Sequence, residues 1–255
     1  MAKDATVISL FPVPGNQRAK VHSKKFLATP PHRKSVMFDH LGTAPHFSRG
    51  AEIYSEGEQA RYLYRVISGT VRACNLLVDG RRQVTEFFFA GDSFGFGAVG
   101  EQLASAQAVS DVVVMRYPFA ALQRLSETDP YISRRLHEIA LRSLARARSH
   151  MLLARKTAHE RVASFLLEIS DRTGCGSHIV LPMTRHDIAD YLGLTTETVS
   201  RTISAMSRSG MIRLLASSHQ IDLIDHQALE AARAGDDTGK SRAMKTDSRR
   251  KSLWI

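Results

Sequence analysis

The sequence contains little cysteine and no long apolar run. Its 255 residues include only Cys74 and Cys175, too few for a disulfide framework or a cluster of thiolate ligands. No stretch of about 18 apolar residues occurs, so no membrane span is predicted. The apolar segment of residues 5–11 is too short for the centre of a signal peptide. Together these absences indicate a protein of the reducing cytoplasm.

Positive charge is concentrated at the two ends of the chain. Lys and Arg number 35 against 25 Asp and Glu, which gives a formal net charge of +10. Residues 1–40 and 233–255 carry +5 and +4, whereas residues 41–232 carry +1 and their last part, 159–232, carries −3. Both ends are expected to be basic, disordered tails, which would add a salt-sensitive attraction to nucleic acid.

Short β-like runs separated by turns fill residues 41–130. The runs are 51–54, 62–67, 70–78, 83–89 and 112–117. Asp79-Gly80 between two of them is a strong hairpin signal, because both turn positions favour positive φ. Glycines recur roughly every ten residues, at Gly57, Gly69, Gly80, Gly91 and Gly100. The pattern is typical of a small antiparallel roll or barrel.

A long helix is predicted over residues 131–156, where a run without Pro or Gly follows Asp129-Pro130. Apolar residues recur in this run at steps of three and four, which places them in one stripe. The stripe consists of Ile132, Leu136, Ala140, Leu144, Ala147 and Met151. Two explanations stay open: packing against the helix's own domain, or a seam with a second copy of the chain.

Two short helices separated by a turn are predicted in the last third of the chain. Thr184 and Asp187 have the spacing of a capping pair that opens the first helix. Gly193 breaks this helix, Thr195 begins the next, and Gly210 ends it. The order helix, glycine turn, helix makes this segment a candidate helix-turn-helix.

The detailed spacing makes the helix-turn-helix prediction more specific. Ala189 supplies a small side chain where the helices cross, Gly193 takes the turn, and Val199 packs the second helix on the first. The flanking apolar residues that would fill the interior are Ile188, Leu192, Leu194 and Ile203. A strand hairpin of residues 212–216 and 220–224 follows. An ordinary helical hairpin is the alternative, and the full spacing disfavours it.

The outward face of the second helix is polar over its first two turns. Arg201 can make a bidentate contact with guanine, Glu197 can accept from cytosine N4, and Ser200 can donate to a base or a phosphate. These three residues are expected to read bases. Phosphate contacts that position the domain are expected from Thr184, Arg185, His186, Thr195, Thr196, Thr198 and Arg208. The alternative for Glu197 and Arg201 is a solvated pair that only supports the helix.

With these motifs the sequence resembles the CRP/FNR family of transcription regulators, over residues 41–232. The shared stretches are Gly91-Asp92-Ser93-Phe94-Gly95, Leu181-Pro182-Met183-Thr184-Arg185 and Asp187-Ile188-Ala189-Asp190-Tyr191-Leu192-Gly193-Leu194. The run Glu197-Thr198-Val199-Ser200-Arg201 is similar to the Glu-x-x-Ser-Arg signature of the FNR and FixK branch. Residues 157–168 look especially like FixK proteins.

The resemblance implies an α+β fold with an N-terminal antiparallel β-roll over 41–130, a dimerisation helix over 131–156 and a winged helix-turn-helix over 157–232. It further implies a homodimer that binds double-stranded DNA at a palindromic site with TTGA-type half-sites and contacts RNA polymerase. Activation of low-oxygen, nitrogen-fixation or respiratory genes is expected on this ground alone. Repression stays open, since the effect depends on where the site lies relative to the promoter.

Departures from the family pattern concern the effector. Cyclic-nucleotide-responsive members have Gly-Glu and Arg-Ser or Arg-Thr in their pocket, where this chain has Gly95-Phe96 and Ala104-Ser105. A phosphate buried without its Arg would be poorly compensated, so the pattern disfavours cyclic nucleotide binding. The position before the recognition Glu holds Thr196 instead of their Arg. Two cysteines cannot hold the iron-sulfur cluster of oxygen-sensing members.

A regulator without cofactor or metal is therefore expected, and its own synthesis would set its activity. The alternative is an effector-gated regulator that responds to nitric oxide, haem or another small ligand. Cys175 is interpreted as a surface thiol, with a redox role near DNA as the second hypothesis. Cys74 lies in a predicted strand, which favours packing over a role as haem ligand.

A rival from another class is an enzyme that binds NADP. Gly95-Phe96-Gly97-Ala98-Val99-Gly100 matches Gly-x-Gly-x-x-Gly after an apolar strand, and Arg116 follows at a distance suited to a 2′-phosphate. Only residues 101–110 separate the motif from the next strand, too few for a helix that crosses back over a sheet. The sequence therefore favours a regulator that is not an enzyme.

Overall fold

The computed structural model describes residues 41–97, 100–215 and 219–236. The predicted tail of residues 1–40 lies outside these ranges, as does most of the tail predicted over 233–255. Arg233 and Ala234, the first two residues of the second tail, complete the last helix of the fold. The predicted start of that tail is therefore wrong.

The N-terminal part is an antiparallel roll of two four-stranded sheets, ordered β1-β8-β3-β6 and β2-β7-β4-β5. Its strands are β1 His46–Phe47, β2 Glu52–Tyr54, β3 Tyr62–Ser68, β4 Val71–Leu76, β5 Arg82–Phe88, β6 Ser93–Phe94, β7 Ser105–Ala108 and β8 Val112–Pro118. The hairpin predicted at Asp79-Gly80 joins β4 to β5, and Gly80 has a φ of +80° there. The sequence pattern missed β7, because Ser-Ala-Gln-Ala offers no β-branched or aromatic residue.

Six helices and a small sheet complete the described part of the chain. The helices are α1 Phe119–Thr128, α2 Pro130–Leu153, α3 Ala158–Thr173, α4 Arg185–Leu192, α5 Thr196–Arg208 and α6 His226–Ala234. Strands β9 His178–Val180, β10 Ile212–Leu214 and β11 Gln220–Leu223 form an antiparallel sheet in the order β10-β11-β9. None of the described helices is long and apolar enough to cross a membrane. These elements confirm the predicted fold class.

The apolar stripe predicted on α2 divides between two faces. Ile132 is buried, and Leu136 packs against the roll's small cluster of Leu63, Tyr117 and Leu122. Ala140, Leu144, Ala147 and Met151 lie exposed, as do Leu141 and Leu152. Each step of four residues advances about 40° around a helix, so the stripe rotates away from the roll after Leu136. Leu136 is therefore partly covered by its own chain, and its place in a seam stays a prediction.

One apolar core runs from the roll into the C-terminal domain, which comprises α3 to α6 with the β9–β11 sheet. Phe87 on β5 lies with its ring centroid 6.3 Å from that of Phe165 on α3 and 5.3 Å from that of Tyr191 on α4. His150 on α2 stacks on Tyr191 at 4.3 Å and donates a hydrogen bond to its carbonyl oxygen. The roll, the long helix and the C-terminal domain therefore meet at Tyr191.

Substitutions at two neighbouring phenylalanines of β5 test this junction. Phe87→Ala and Phe88→Ala each remove a buried ring, so each is expected to lower the free energy of unfolding by roughly 3–5 kcal/mol. Phe88 packs within the roll, whereas Phe87 packs in the core shared with the C-terminal domain. Faster amide hydrogen exchange in α3 and α4 is therefore expected for Phe87→Ala alone. Equal exchange there in both variants would show that Phe87 does not join the two parts.

Candidate DNA interface

The first helix of the motif begins at a complete capping box. The Thr184 hydroxyl accepts from the Asp187 N–H at 3.1 Å, and the Asp187 carboxylate accepts from the Thr184 N–H at 3.0 Å. The helix ends at Gly193, whose φ of +63° is the left-handed conformation that favours glycine. Thr195 begins α5 by accepting from the Thr198 N–H at 3.1 Å. The capping pair, the break at Gly193 and the cap at Thr195 are confirmed, and α5 ends at Arg208, two residues before Gly210.

The contact between α4 and α5 is apolar and closely packed. Ala189 is 2% exposed, and Val199 and Ile188 have no exposed surface. Leu192 and Ile203 complete the buried set, and Leu194 packs partly against it. The small, turn-forming and branched residues therefore occupy the positions for which the sequence spacing predicted them.

The outward side of α5 carries the residues expected to read bases. Glu197 and Arg201 form an ion pair at 3.3 Å, with 73% and 72% of their side chains exposed. Ser200 is exposed beside them. A shallow hollow on the same side is lined by Ser200, Arg201, Ser204 and Arg208. The sequence interpretation missed Ser204, although its position four residues after Ser200 places both hydroxyls on one face.

The residues expected at phosphates divide into two groups. The hydroxyls of Thr184 and Thr195 serve the helix caps, and the Thr198 hydroxyl lies 2.8 Å from that of Thr195. The side chains of His186 and Thr196 are exposed and lie 3.3 Å apart between Nδ1 and Oγ1. These residues cluster at the N-termini of α4 and α5, where backbone N–H groups favour an anion.

The two arginines of the phosphate group differ in their surroundings. Arg208 is exposed in the last turn of α5 and lines the hollow. Arg185 is half-buried, and burial lowers the pKa of its guanidinium below the usual value. Arg208 is therefore the more accessible of the two cations.

The predicted strand hairpin forms a wing beside the two helices. Ile212 pairs with Leu223 and Leu214 with Ile221 in an antiparallel register. The paired segment is shorter than predicted, since β10 ends at Leu214 and β11 at Leu223. Strand β9 pairs with β11 and completes the sheet. Helix, turn, helix and wing follow one another in the order of a winged helix-turn-helix.

Comparisons with known proteins agree with this geometry. The family profile described as the Crp-like helix-turn-helix domain matches residues 160–232, and the profile of the cyclic nucleotide-binding domain matches residues 45–129. The nitrogen fixation regulation protein FixK of Bradyrhizobium diazoefficiens is 42% identical over 77% of this chain and 84% of its own length. The FixK protein of Azorhizobium caulinodans is 39% identical over 86% of this chain and 90% of its own length.

The chain belongs to the CRP/FNR family of transcription regulators. A solved structure titled FixK2 from Bradyrhizobium japonicum has a TM-score of 0.72 and 40% identity, covering 75% of this chain and 96% of its own. These relatives confirm the predicted family and the DNA-binding function. The homologues named here are regulators, which agrees with the expectation that the chain is not an enzyme.

At the positions where cyclic-nucleotide-responsive CRP/FNR proteins bind their ligand, this chain has apolar residues. Phe96 packs against Leu63 and Tyr117, and Ala104 packs against the core of the roll. Arg146 of α2 forms an ion pair with Glu86 of β5. Burial raises the pKa of Glu86, although Arg146 opposes the shift. The charge of Arg146 is therefore matched by the carboxylate of Glu86 from the same chain.

A cavity of about 270 Å³ lies at the junction of the roll, α2 and the C-terminal domain. Charged side chains surround it: Arg172 binds Asp92 at 2.7 Å and Glu168 at 3.0 Å, and Arg146 lies beside Glu86. The cavity is lined by Ala73, Asn75, Thr85, Glu86, Leu103, Ala104, Arg146, Ala147, His150, Glu168, Arg172 and Tyr191. The sequence interpretation missed this network, because its members come from β5, the turn after it, α2 and α3, and the roll residues lie more than fifty positions from the helical ones.

The surroundings of the glycine-rich segment differ from those of a dinucleotide-binding motif. Within the described residues the glycine-rich segment opens no helix before α1, and every strand pair is antiparallel. A Cβ at Gly95 would lie 2.7 Å from the ring of Tyr64, and one at Gly97 would lie 2.3 Å from Ala60 Cβ. These two glycines therefore allow close packing inside the roll.

The cysteines take different positions in the fold. Cys74 is buried in β4, where burial raises the pKa of its thiol, and this agrees with packing. Cys175 is exposed in the turn between α3 and β9. Among residues 41–97, 100–215 and 219–236, no group of three or more His, Cys, Asp or Glu side chains is placed to hold a metal ion.

Proposed function

We propose that this protein is a FixK-like transcription activator that binds an interrupted palindrome with TTGA-type half-sites as a homodimer. The carrying observation is the exposed polar face of α5, on which Glu197, Ser200 and Arg201 stand clear of the rest of the chain. Arg201 reads guanine, Glu197 accepts from cytosine, and Ser200 contacts a base or a phosphate. The Glu197–Arg201 pair already holds both side chains on one face.

The positioning contacts come from the residues around the two helix N-termini and from the end of α5. Backbone N–H groups beside Thr184 and Thr195 bind phosphates there, with His186 and Thr196 alongside. Arg208 contacts a phosphate at the far end of the helix, while the half-buried Arg185 and the Thr198 hydroxyl support the same surface. Such contacts fix the register without selecting a sequence.

The exposed apolar residues of α2 support a dimer. Leu144 and Met151 are 66% and 76% exposed in the single chain, and Leu141 and Leu152 are 52% and 57% exposed. Such a row on a 24-residue helix is costly to leave in water, and a second copy of α2 would cover it. The dimer seam then centres on Ala140, Leu144, Ala147 and Met151, with the partly buried Leu136 at its end nearest the roll.

The residues at the positions of the family's nucleotide pocket support activity set by synthesis of the protein. Phe96 and Ala104 replace the polar residues that hold a cyclic nucleotide, and Glu86 matches Arg146. The names of the FixK relatives support target genes of nitrogen fixation. Control of low-oxygen respiratory genes, contact with RNA polymerase and a cytoplasmic location are proposed on the family resemblance alone. An effector-gated regulator is the second candidate, and the cavity of about 270 Å³ favours it.

Selection of binding sites from random DNA, with purified protein and no added ligand, tests the proposal directly. A palindrome of TTGA-type half-sites is the expected result, because two copies of α5 related by a dimer axis read inverted half-sites. Enrichment that appears only after a small ligand such as nitric oxide or haem is added would support the effector-gated alternative. Enrichment of no sequence in any condition would overturn both.

Arg201→Ala is expected to cost about 1 to 3 kcal/mol of binding free energy at the selected site, with little loss on random DNA. Arg208→Ala is the matched control, since a lost phosphate contact weakens both DNAs alike. Band-shift titrations at fixed salt measure both losses. The Glu197–Arg201 pair is exposed, so thermal unfolding of Arg201→Ala should be nearly unchanged. Equal losses of affinity for both DNAs would show that Arg201 contacts the DNA backbone and not a base.

Leu144→Glu is expected to yield monomers and to abolish specific binding, because it places a charge in the proposed seam. Ser149→Glu adds the same charge at an exposed position about 140° around the helix, and it should stay dimeric. Light scattering measures the mass of each variant. If the Leu144→Glu variant remains a dimer, the dimer interface does not lie at this part of α2.

Cys175 is proposed as a redox-sensitive residue, because its exposed thiol can be oxidised to an acidic group that repels phosphate. Peroxide is expected to weaken operator binding by the native protein and to leave Cys175→Ser unaffected. Band shifts before and after treatment measure this. Equal loss in both proteins would end the hypothesis.

A further inference from the structure

Two aspartates on the first helix of the DNA-binding motif are bound by arginines from the β4–β5 hairpin of the roll. Arg82 binds Asp190 at 2.7 Å and Asp187 at 2.6 Å, and Arg72 binds Asp187 at 2.7 Å. Gln83 donates to the Asp190 carbonyl oxygen at 3.0 Å. We call Arg72, Arg82, Asp187 and Asp190 the arginine clamp.

The carboxylate of Asp187 is fully occupied. One oxygen accepts from the Thr184 N–H and hydroxyl, at 3.0 and 2.9 Å, while the other accepts from both arginines. The side chain is only 4% exposed. Burial by itself would raise the pKa of Asp187, but the hydrogen bonds from Thr184 and the two guanidiniums outweigh it and lower the pKa. The residue that caps α4 is therefore also the residue that the roll holds.

The arginines are themselves held in place. The guanidinium of Arg72 donates to Gln107 on the neighbouring strand β7 at 2.9 Å. The side chains of Arg72, Arg82 and Asp190 are 16%, 25% and 14% exposed, so water screens these ion pairs less than pairs on an open surface. Each member sits on a regular element, which fixes the direction of α4 relative to the roll.

The clamp leaves the base-reading face of α5 free. Its contacts lie on α4, whereas Glu197 and Arg201 are more than two-thirds exposed. Because α5 packs on α4 through Ala189 and Val199, a rotation of α4 would carry the recognition helix with it. The two arginines of the clamp also neutralise Asp187 and Asp190, which belong to a segment, residues 159–232, with a formal charge of −3.

We propose that Arg72 and Arg82 are positioning residues for DNA recognition: they hold α4, and with it the recognition helix, in the orientation that binds DNA without a ligand. The inference rests on the proposed function. It adds a specific contact through which the roll determines DNA affinity. Loss of one arginine leaves a largely buried carboxylate with fewer partners, and α4 then shifts to reach water.

The test uses neighbouring arginines that differ in their contacts. Arg82→Gln removes two of the three ion pairs of the clamp, whereas Arg81→Gln removes the same charge from an exposed side chain that pairs with Asp79 of its own hairpin. Arg82→Gln is expected to lower the affinity for the selected site about tenfold or more. Its affinity for random DNA should change as little as that of Arg81→Gln. Hydrogen exchange should rise in α4 and β5 alone. Arg82→Lys, which keeps the charge, should restore part of the affinity.

A second comparison separates the clamp from a general loss of stability. Asp190→Asn and Arg82→Gln should each weaken specific binding, and the double variant should lose little more than either. Asp190→Asn also serves if Arg82→Gln fails to fold. Three outcomes would each overturn the role of the clamp. Arg82→Gln could bind the selected site as tightly as Arg81→Gln does, either single variant could bind it more tightly than the native protein, or the losses of the two single variants could add up in the double variant. Failure of the native protein to select a site would instead overturn the proposed function.

Discussion

The packing of Phe87 against Phe165 and Tyr191 determines where the recognition helix stands. These rings belong to the roll, to α3 and to α4, and they are 1%, 1% and 5% exposed. Because apolar packing is non-directional, it supplies adhesion between the two parts without fixing an angle. The ion pairs around this contact supply the angle, since a guanidinium binds a carboxylate only in a defined geometry.

The charged residues at this junction orient the two parts that the apolar contact holds together. Arg172 of α3 reaches Asp92 of the roll, Arg146 of α2 reaches Glu86, and Arg82 reaches α4. Buried or half-buried ion pairs add little net stability, because desolvation offsets attraction, but breaking one is costly. A regulator built in this way has few alternative orientations, which is consistent with DNA binding that needs no effector. The roll then acts as a fixed support for the motif.

The helix-turn-helix was predictable in detail because its signals are local. Thr184, Gly193 and Thr195 act through hydrogen bonds and φ angles within a few residues, so the chain order alone reveals them. The dimer stripe was only partly predictable. Leu136 has the same chemistry as Leu144, and only the position of the roll decides that one is covered by its own chain. Strand β7 escaped because pairing, rather than propensity, makes it a strand.

The sequence by itself predicted the family, the helix-turn-helix and the three residues expected to read DNA, since motifs and caps are properties of neighbouring residues. It did not predict strands β1, β6 and β7 or helices α1 and α6. Tertiary structure decided what lies around them. Arg72 and Arg82 look like ordinary surface cations in the sequence, more than a hundred residues from Asp187 and Asp190. Only the folded chain brings these charges within hydrogen-bond distance, because ion pairing depends on positions in space and leaves no periodic pattern in the sequence.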